Sequence, residues 1–176
     1  MTKKNPLWVT IYTDAGFKDG RGTWGVWIRT TNERIIKNGV CHPNIKDSNL
    51  AEMYAILAGV IIVLRTYPDM NIDGILIKSD SRTAINWAKW NGQQPRNAAA
   101  AKMRARLWLM LEERDCRIRC VWVKGHQNPG RGTAAFLNNA VDLLATDARD
   151  GQKGVVDIRH RVSAPQGVEQ PLPDIL

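Results

Sequence analysis

Apolar and polar positions alternate along the first forty residues. "WVTIYTD" (8–14), "TWGVWIRT" (23–30) and "ERIIKNGV" (33–40) each read as a strand, the first pair joined by "KDGRG" and the second by "TNE". That is an antiparallel meander. The pattern then changes period: in "SNLAEMYAILAGVIIVLRTYPD", apolar residues recur at Leu50, Met53, Tyr54, Leu57, Ile61 and Leu64, Ser48 or Asn49 can cap, and Pro68 marks the stop. A helix apolar nearly all round belongs at the centre of a fold. "DGILIKSD" follows as a fully buried strand, "SRTAINWAKWNG" as a short helix stopped by Gly92, "NAAAAKMRARLWLMLEERD" as an amphipathic helix and "CRIRCVWVKG" as another strand. The loop "HQNPGRGTAAF" leads to a last helix, "LNNAVDLLATDARD".

The order β-β-β-α-β-α-α-β-α predicts an α/β fold with one mixed five-stranded sheet. Its three leading strands are antiparallel, the strands reached through helices are parallel, and helices cover both faces. With the first strand central, the C-terminal ends of the parallel strands open on one edge, where α/β folds bind ligands. Residues 1–150 are expected to form the domain. Residues 151–176, rich in Gly, Pro and Gln without a sustained period, are expected to form a partly disordered tail.

Composition changes this picture little. At 176 residues, 44% hydrophobic and 24% charged, the chain suits one domain. Runs such as "AILAGVIIVL" fall short of a membrane span and no signal-like segment follows the N-terminal lysines, so a soluble, cytoplasmic monomer is the expectation, with no membrane partner. Three cysteines, Cys41, Cys116 and Cys120, show no CxxC spacing and read as buried free thiols. Charge says more. The net +8 lies wholly before residue 151, because three basic and three acidic residues balance in the tail. Clusters such as Arg104/Arg106 and Arg114/Arg117/Arg119 suit a polyanion, although a merely solvated basic face would look the same.

Four carboxylates interrupt apolar surroundings. Asp14 ends the first strand, Asp80 ends "GILIKSD", Glu52 is the only charged residue between Ser48 and Leu64, and Asp142 sits among Val141, Leu143, Leu144 and Ala145. Each has a local reading: a turn cap for the aspartates at strand ends, a basic partner for Glu52, a solvated face for Asp142. Together they fall at the mouth of one sheet in a basic protein, where hard oxygen ligands favour Mg²⁺ or Mn²⁺ and in-line displacement at a phosphate.

"YTDAG", "SNLAEMYAI", "IKSDSRTAINW" and "WVKGHQ" followed by "NNAVDLLATDA" resemble, in order and spacing, the motifs of type 1 ribonuclease H over roughly residues 8–149. The resemblance implies an endonuclease that hydrolyses the RNA strand of RNA/DNA hybrids and leaves 5′-phosphate and 3′-hydroxyl ends. It implies two Mg²⁺ ions, with Mn²⁺ as a substitute. Asp14 would bridge them, Asp142 would help hold the water-activating ion, and Glu52 and Asp80 the one beside the leaving oxygen. His126 matches a histidine that assists turnover. Asn49 and the backbone at Ala15 match contacts to ribose hydroxyls, and Asn138 an asparagine near the scissile phosphate. Apart from the resemblance, Trp87 and Trp90 near the end of the short helix read either as a stacking ridge for the DNA strand or, for one of them, as core packing. Ala15 stands where glycine is usual, Ser48 replaces the first of two asparagines, and "NGQQPRNAAAAK" is too short for the basic protrusion of some members. An integrase- or resolvase-type DNA nuclease and a non-catalytic nucleic-acid-binding domain are the competing readings.

Overall fold

A two-residue turn sets the register of the whole sheet. Strands β1 (Trp8–Lys18) and β2 (Arg21–Arg29) pair antiparallel without interruption, from Thr10 opposite Arg29 to Lys18 opposite Arg21. Asp19 and Gly20 reverse the chain at φ 51° and 77°. Positive φ at both central residues gives the primed turn whose twist suits a hairpin. The five-residue connection expected from "KDGRG" is therefore shorter: its flanking polar residues continue the ladder, and Lys18 and Arg21 keep their charges exposed.

The computed structural model describes residues 7–68, 71–125, 141–143 and 145–146. Within them β3 (Arg34–Val40) pairs antiparallel with β2, β4 (Gly74–Ser79) parallel with β1, and β5 (Arg117–Trp122) parallel with β4. The order β3-β2-β1-β4-β5 puts β1 at the centre.

Strand parity decides what each face does. Val9 and Ile11 of β1 and Trp24, Val26 and Ile28 of β2 are buried on the face covered by helix α1 (Ser48–Thr66). The fit is close: a Cβ on Gly59 would press into Ile11 and meet Val26. From Leu50 to Val63 every α1 residue is buried except Glu52. By length and composition α1 would also pass for a membrane span, which corrects the expectation that no apolar run is long enough; here it is the central core helix. Neither Ser48 nor Asn49 caps it. Asp47 does, its Oδ1 accepting from the Leu50 N–H at 2.9 Å, because only the residue just outside the first turn can aim its side chain at the free amides.

Helices α2 (Arg82–Ala88) and α3 (Ala98–Glu113) pack against α1, and Asn97 caps α3 by accepting from Ala99 and Ala100. α2 stops at Ala88, four residues before the Gly92 expected to end it. Across that stop Arg104 of α3 donates to the carbonyls of Trp87, Lys89 and Trp90 at 2.9, 3.0 and 2.7 Å. Arg114 likewise donates to the Tyr67 carbonyl. Two arginines expected to face a polyanion thus staple loops.

The other face of the sheet is covered in part. Thr23 donates its hydroxyl to the Ala145 carbonyl at 2.7 Å, and Val141 and Ala145 are buried, so helical residues 141–143 and 145–146 lie opposite α1. β4 is not buried on both sides as its apolar run suggested: Ile75, Ile77 and Ser79 face the helices, while Leu76 and Lys78 keep partial exposure. Lys78 sits against Tyr12, Nζ 3.1 Å from the hydroxyl. All three cysteines are free and buried. Burial pushes Cys116 up to about 11 and Cys120 to about 12, so neither is a ready nucleophile.

Candidate active site

β1 and β4 pair in parallel from Trp8 opposite Gly74 to Tyr12 opposite Lys78, and the acids lie just past that stretch; Asp14 does not end its strand as expected, because β1 runs on to Lys18 against β2. Asp14 lies on β1 opposite Gly25, only 5% exposed. Asp80 follows the last residue of β4, and Glu52 projects from the first turns of α1 toward both. One carboxylate oxygen from each of Asp14, Glu52 and Asp80 lies within 4.8 Å of the others. Three separate elements, brought together by a helix crossing the sheet, build this cluster.

Such a cluster is unfavourable alone. Burial, followed by the charges of Asp80 and Asp142, pushes Asp14 up to about 8, only partly offset by the Ala15 N–H that it accepts at 2.9 Å. Burial first, then Asp14 and Asp80, raises Glu52 well above the usual carboxylate range. Glu52 keeps some surface at the mouth, yet its Oε2 is buried and has no hydrogen-bond partner among the described residues. A buried acceptor without a donor is costly, and three mutually repelling carboxylates offering hard oxygens are the donor set a divalent cation satisfies. The residues present fit such an ion.

Asp142 stands outside the 4.8 Å group but close enough for its charge to raise Asp14, with partial exposure. The Ala15 N–H is engaged by the Asp14 carboxylate. Asn49 is exposed on the first turn of α1, on the helix that carries Glu52. Trp87 is half-buried against the core, whereas its neighbour Trp90 is 65% exposed and meets Trp108 edge-on at 4.9 Å. His126 and Asn138 lie outside the described residues, as does the tail from residue 151.

Two residues at this site stand in the motif "WVKGHQ" but were given no role by the sequence. Gly125 packs so tightly on Asp80 that a Cβ there would overlap its carboxylate. The Trp122 indole donates to the Asp80 carbonyl at 2.8 Å. Both lay in plain view in "WVKG", but their partner is more than forty residues away.

A five-stranded mixed sheet with carboxylates gathered at its two central strands, past their parallel pairing, is the frame of ribonuclease H-like proteins. The RNase H family model matches residues 6–150, and the chain belongs to that family. No curated protein sequence matches it. Among solved structures it is similar to RNase H1 from the halophilic archaeon Halobacterium salinarum, at 18% identity and TM-score 0.60, covering 82% of this chain and 98% of that one. It is similar also to LC11 RNase H1 in complex with an RNA/DNA hybrid, at 16% identity and TM-score 0.65, covering 81% and 97%. Prototype foamy virus protease-reverse transcriptase matches at 19% identity and TM-score 0.52, covering 82% of this chain and 21% of that one. Likeness at these identities is likeness of fold.

Proposed function

We propose that this chain is an endonuclease that hydrolyses the RNA strand of RNA/DNA hybrids with divalent cations, Mg²⁺ or Mn²⁺, leaving 5′-phosphate and 3′-hydroxyl ends. The observation that carries the reading is the approach of Asp14, Glu52 and Asp80 to within 4.8 Å just past the parallel pairing of β1 with β4, in a chain of the RNase H family. The hybrid bound in the LC11 structure supports the substrate class.

Asp14, Glu52, Asp80 and Asp142 would hold two ions. When bound, such ions supply Lewis acidity and lower the pKa of water, so that hydrolysis of a phosphodiester proceeds at neutral pH. The chain's own residues set the conditions. Burial of Asp14 excludes competing water, and the mutual repulsion of the acids makes the site favourable only with cations present. Asn49, exposed beside Glu52, is placed to meet a ribose hydroxyl at the mouth, the group that separates RNA from DNA. Trp90 presents the exposed aromatic surface for the DNA strand, and the net charge of +8 supplies attraction for phosphates that weakens with salt.

The test compares uniformly labelled hybrid, duplex DNA and duplex RNA of one sequence, with Mg²⁺ and with EDTA. Hybrid cleavage alone, abolished by EDTA and restored by Mg²⁺, is expected. Equal cutting of hybrid and duplex DNA would overturn hybrid specificity, and cleavage in EDTA would overturn the metal requirement.

A further inference from the structure

Asp80 stands just past the end of the β4–β5 ladder. Ser79 lies opposite Trp122, and the Val123 N–H donates to the Ser79 carbonyl at 2.9 Å, but α2 does not begin until Arg82. Ser81 caps α2, its carbonyl accepting from the Ile85 N–H and its hydroxyl from the Ala84 N–H, so the peptide at Asp80 is the one that must be held by something other than sheet or helix. Ser79 Oγ accepts from the Ser81 N–H at 3.1 Å, and the Asp80 carbonyl accepts from Trp122 Nε1 at 2.8 Å. The Trp122 ring is itself held. Arg82, two residues beyond Asp80, lays its guanidinium 4.3 Å from the ring centroid. The backbone of Asp80, the indole and the guanidinium thus form a closed circuit around the turn.

The indole is 39% exposed, so much of its surface contributes nothing to burial while its single polar atom turns inward. The turn also resists a definite force. Asp80 repels Asp14 and Glu52 and sits at a partly exposed strand end, where a free peptide would let its carboxylate swing away. Supports behind a ligand decide whether the ligand set is preorganised.

We propose that Trp122 is a positioning residue for the metal site: its indole N–H, aimed by the Arg82 stack, fixes the Asp80 peptide and so holds the Asp80 carboxylate beside Asp14 and Glu52. The proposal rests on the metal-dependent reading above. Its consequence lies in metal affinity.

The readout is Mn²⁺ binding by calorimetry on the metal-stripped full chain, with thermal unfolding of each variant alongside. Trp122→Phe keeps a flat apolar ring and removes the donor. Trp122→His loses the benzo ring but places Nε2–H at the ring position of the indole N–H. Loss of one well-aligned hydrogen bond corresponds to about a fivefold change in affinity. Trp122→Phe should therefore bind Mn²⁺ about fivefold more weakly, while Trp122→His returns to within about twofold of the parent. Unfolding temperatures should rank the other way, Phe above His. Arg82→Lys keeps the charge, loses the planar stack and should weaken Mn²⁺ by about two- to threefold without altering β5. If Trp122→Phe binds Mn²⁺ like the parent, or His binds more weakly than Phe, the ring acts through packing and the proposal is overturned while the metal site stands. If the parent neither binds Mn²⁺ nor cleaves hybrid, the nuclease reading falls, and the positioning role with it.

Discussion

Replacing Asp14 by asparagine should stabilise the metal-free protein, and the size of the gain follows from where Asp14 sits. The carboxyl is 5% exposed on the central strand and is pushed from its usual 3.8 up to about 8, by burial first and then by Asp80 and Asp142. Between those values the folded chain keeps a proton that the unfolded chain has lost. Stability is therefore fully present below about pH 4 and falls as pH rises through the window to about 8. A gap of about four pH units at 1.36 kcal/mol each sets a ceiling of about 6 kcal/mol. Glu52 is raised in the same direction, and relaxation of the pair takes up part of the cost. An asparagine of the same shape cannot ionise. In EDTA at pH 8, Asp14→Asn should be more stable than the parent by about 3 kcal/mol, an increase of about 6–12 °C in Tm for a chain of this size. At pH 4 the two should be nearly equal. Urea and thermal unfolding followed by circular dichroism between pH 4 and 8.5, with EDTA or Mg²⁺, measures this. Mg²⁺ should restore stability to the parent at high pH and do little for the variant. A parent whose metal-free stability is flat or rises over that window, or a variant less stable at pH 8, would refute the reasoning.

Two further outcomes follow from particular contacts. Gly125→Ala places a methyl group against the Asp80 carboxylate, the mobile end of a side chain, so the fold should survive with Tm within about 3 °C while Mn²⁺ affinity drops about tenfold; calorimetry and a melting curve decide, and unchanged affinity would mean that Asp80 yields without cost to the site. Arg104→Ala removes a charged donor from three carbonyls at the end of α2 and should cost about 2–3 kcal/mol in urea unfolding, whereas a loss below about 0.5 kcal/mol would show that water replaces it freely.

What the sequence disclosed about the fold depended on how local the determining physics is. α1 was legible because thirteen of its residues are buried and no other arrangement hides so long an apolar run. The parallel placement of β4 and β5 followed from the helices between strands. Boundaries were misjudged where two rules compete. Lys18 and Arg21 look like turn residues by polarity, yet a two-residue turn at Asp19 and Gly20 carries the strands past them. Asp47 and Ser48 are both good caps, and only the direction of the first free amides chooses between them. The end of α2 was hidden because Arg104, which secures it, lies fourteen to seventeen residues from the carbonyls it holds.

The candidate site divides along the same line, and the division has a physical cause. Asp14, Glu52 and Asp80 were legible because each is a charge in an apolar setting, an anomaly visible without a partner. Trp122 and Gly125 were not, because an indole near a strand end and a glycine after it are ordinary until Asp80 is placed against them. The acids oppose folding: Asp14 is raised by burial and by the charges of Asp80 and Asp142, and Glu52 by burial and by Asp14 and Asp80, so without cations the cluster works against the sheet edge. Asp14 cannot retreat, since β1 stays paired with β2 across it, opposite Gly25, and on to Lys18. Glu52 is fixed by a helix buried along most of its length. Asp80 alone sits beyond the last paired residue of its strand, on the element least able to resist. Support is therefore needed there and not behind the other two, which is where the structure places an indole N–H, a stacked arginine and a glycine.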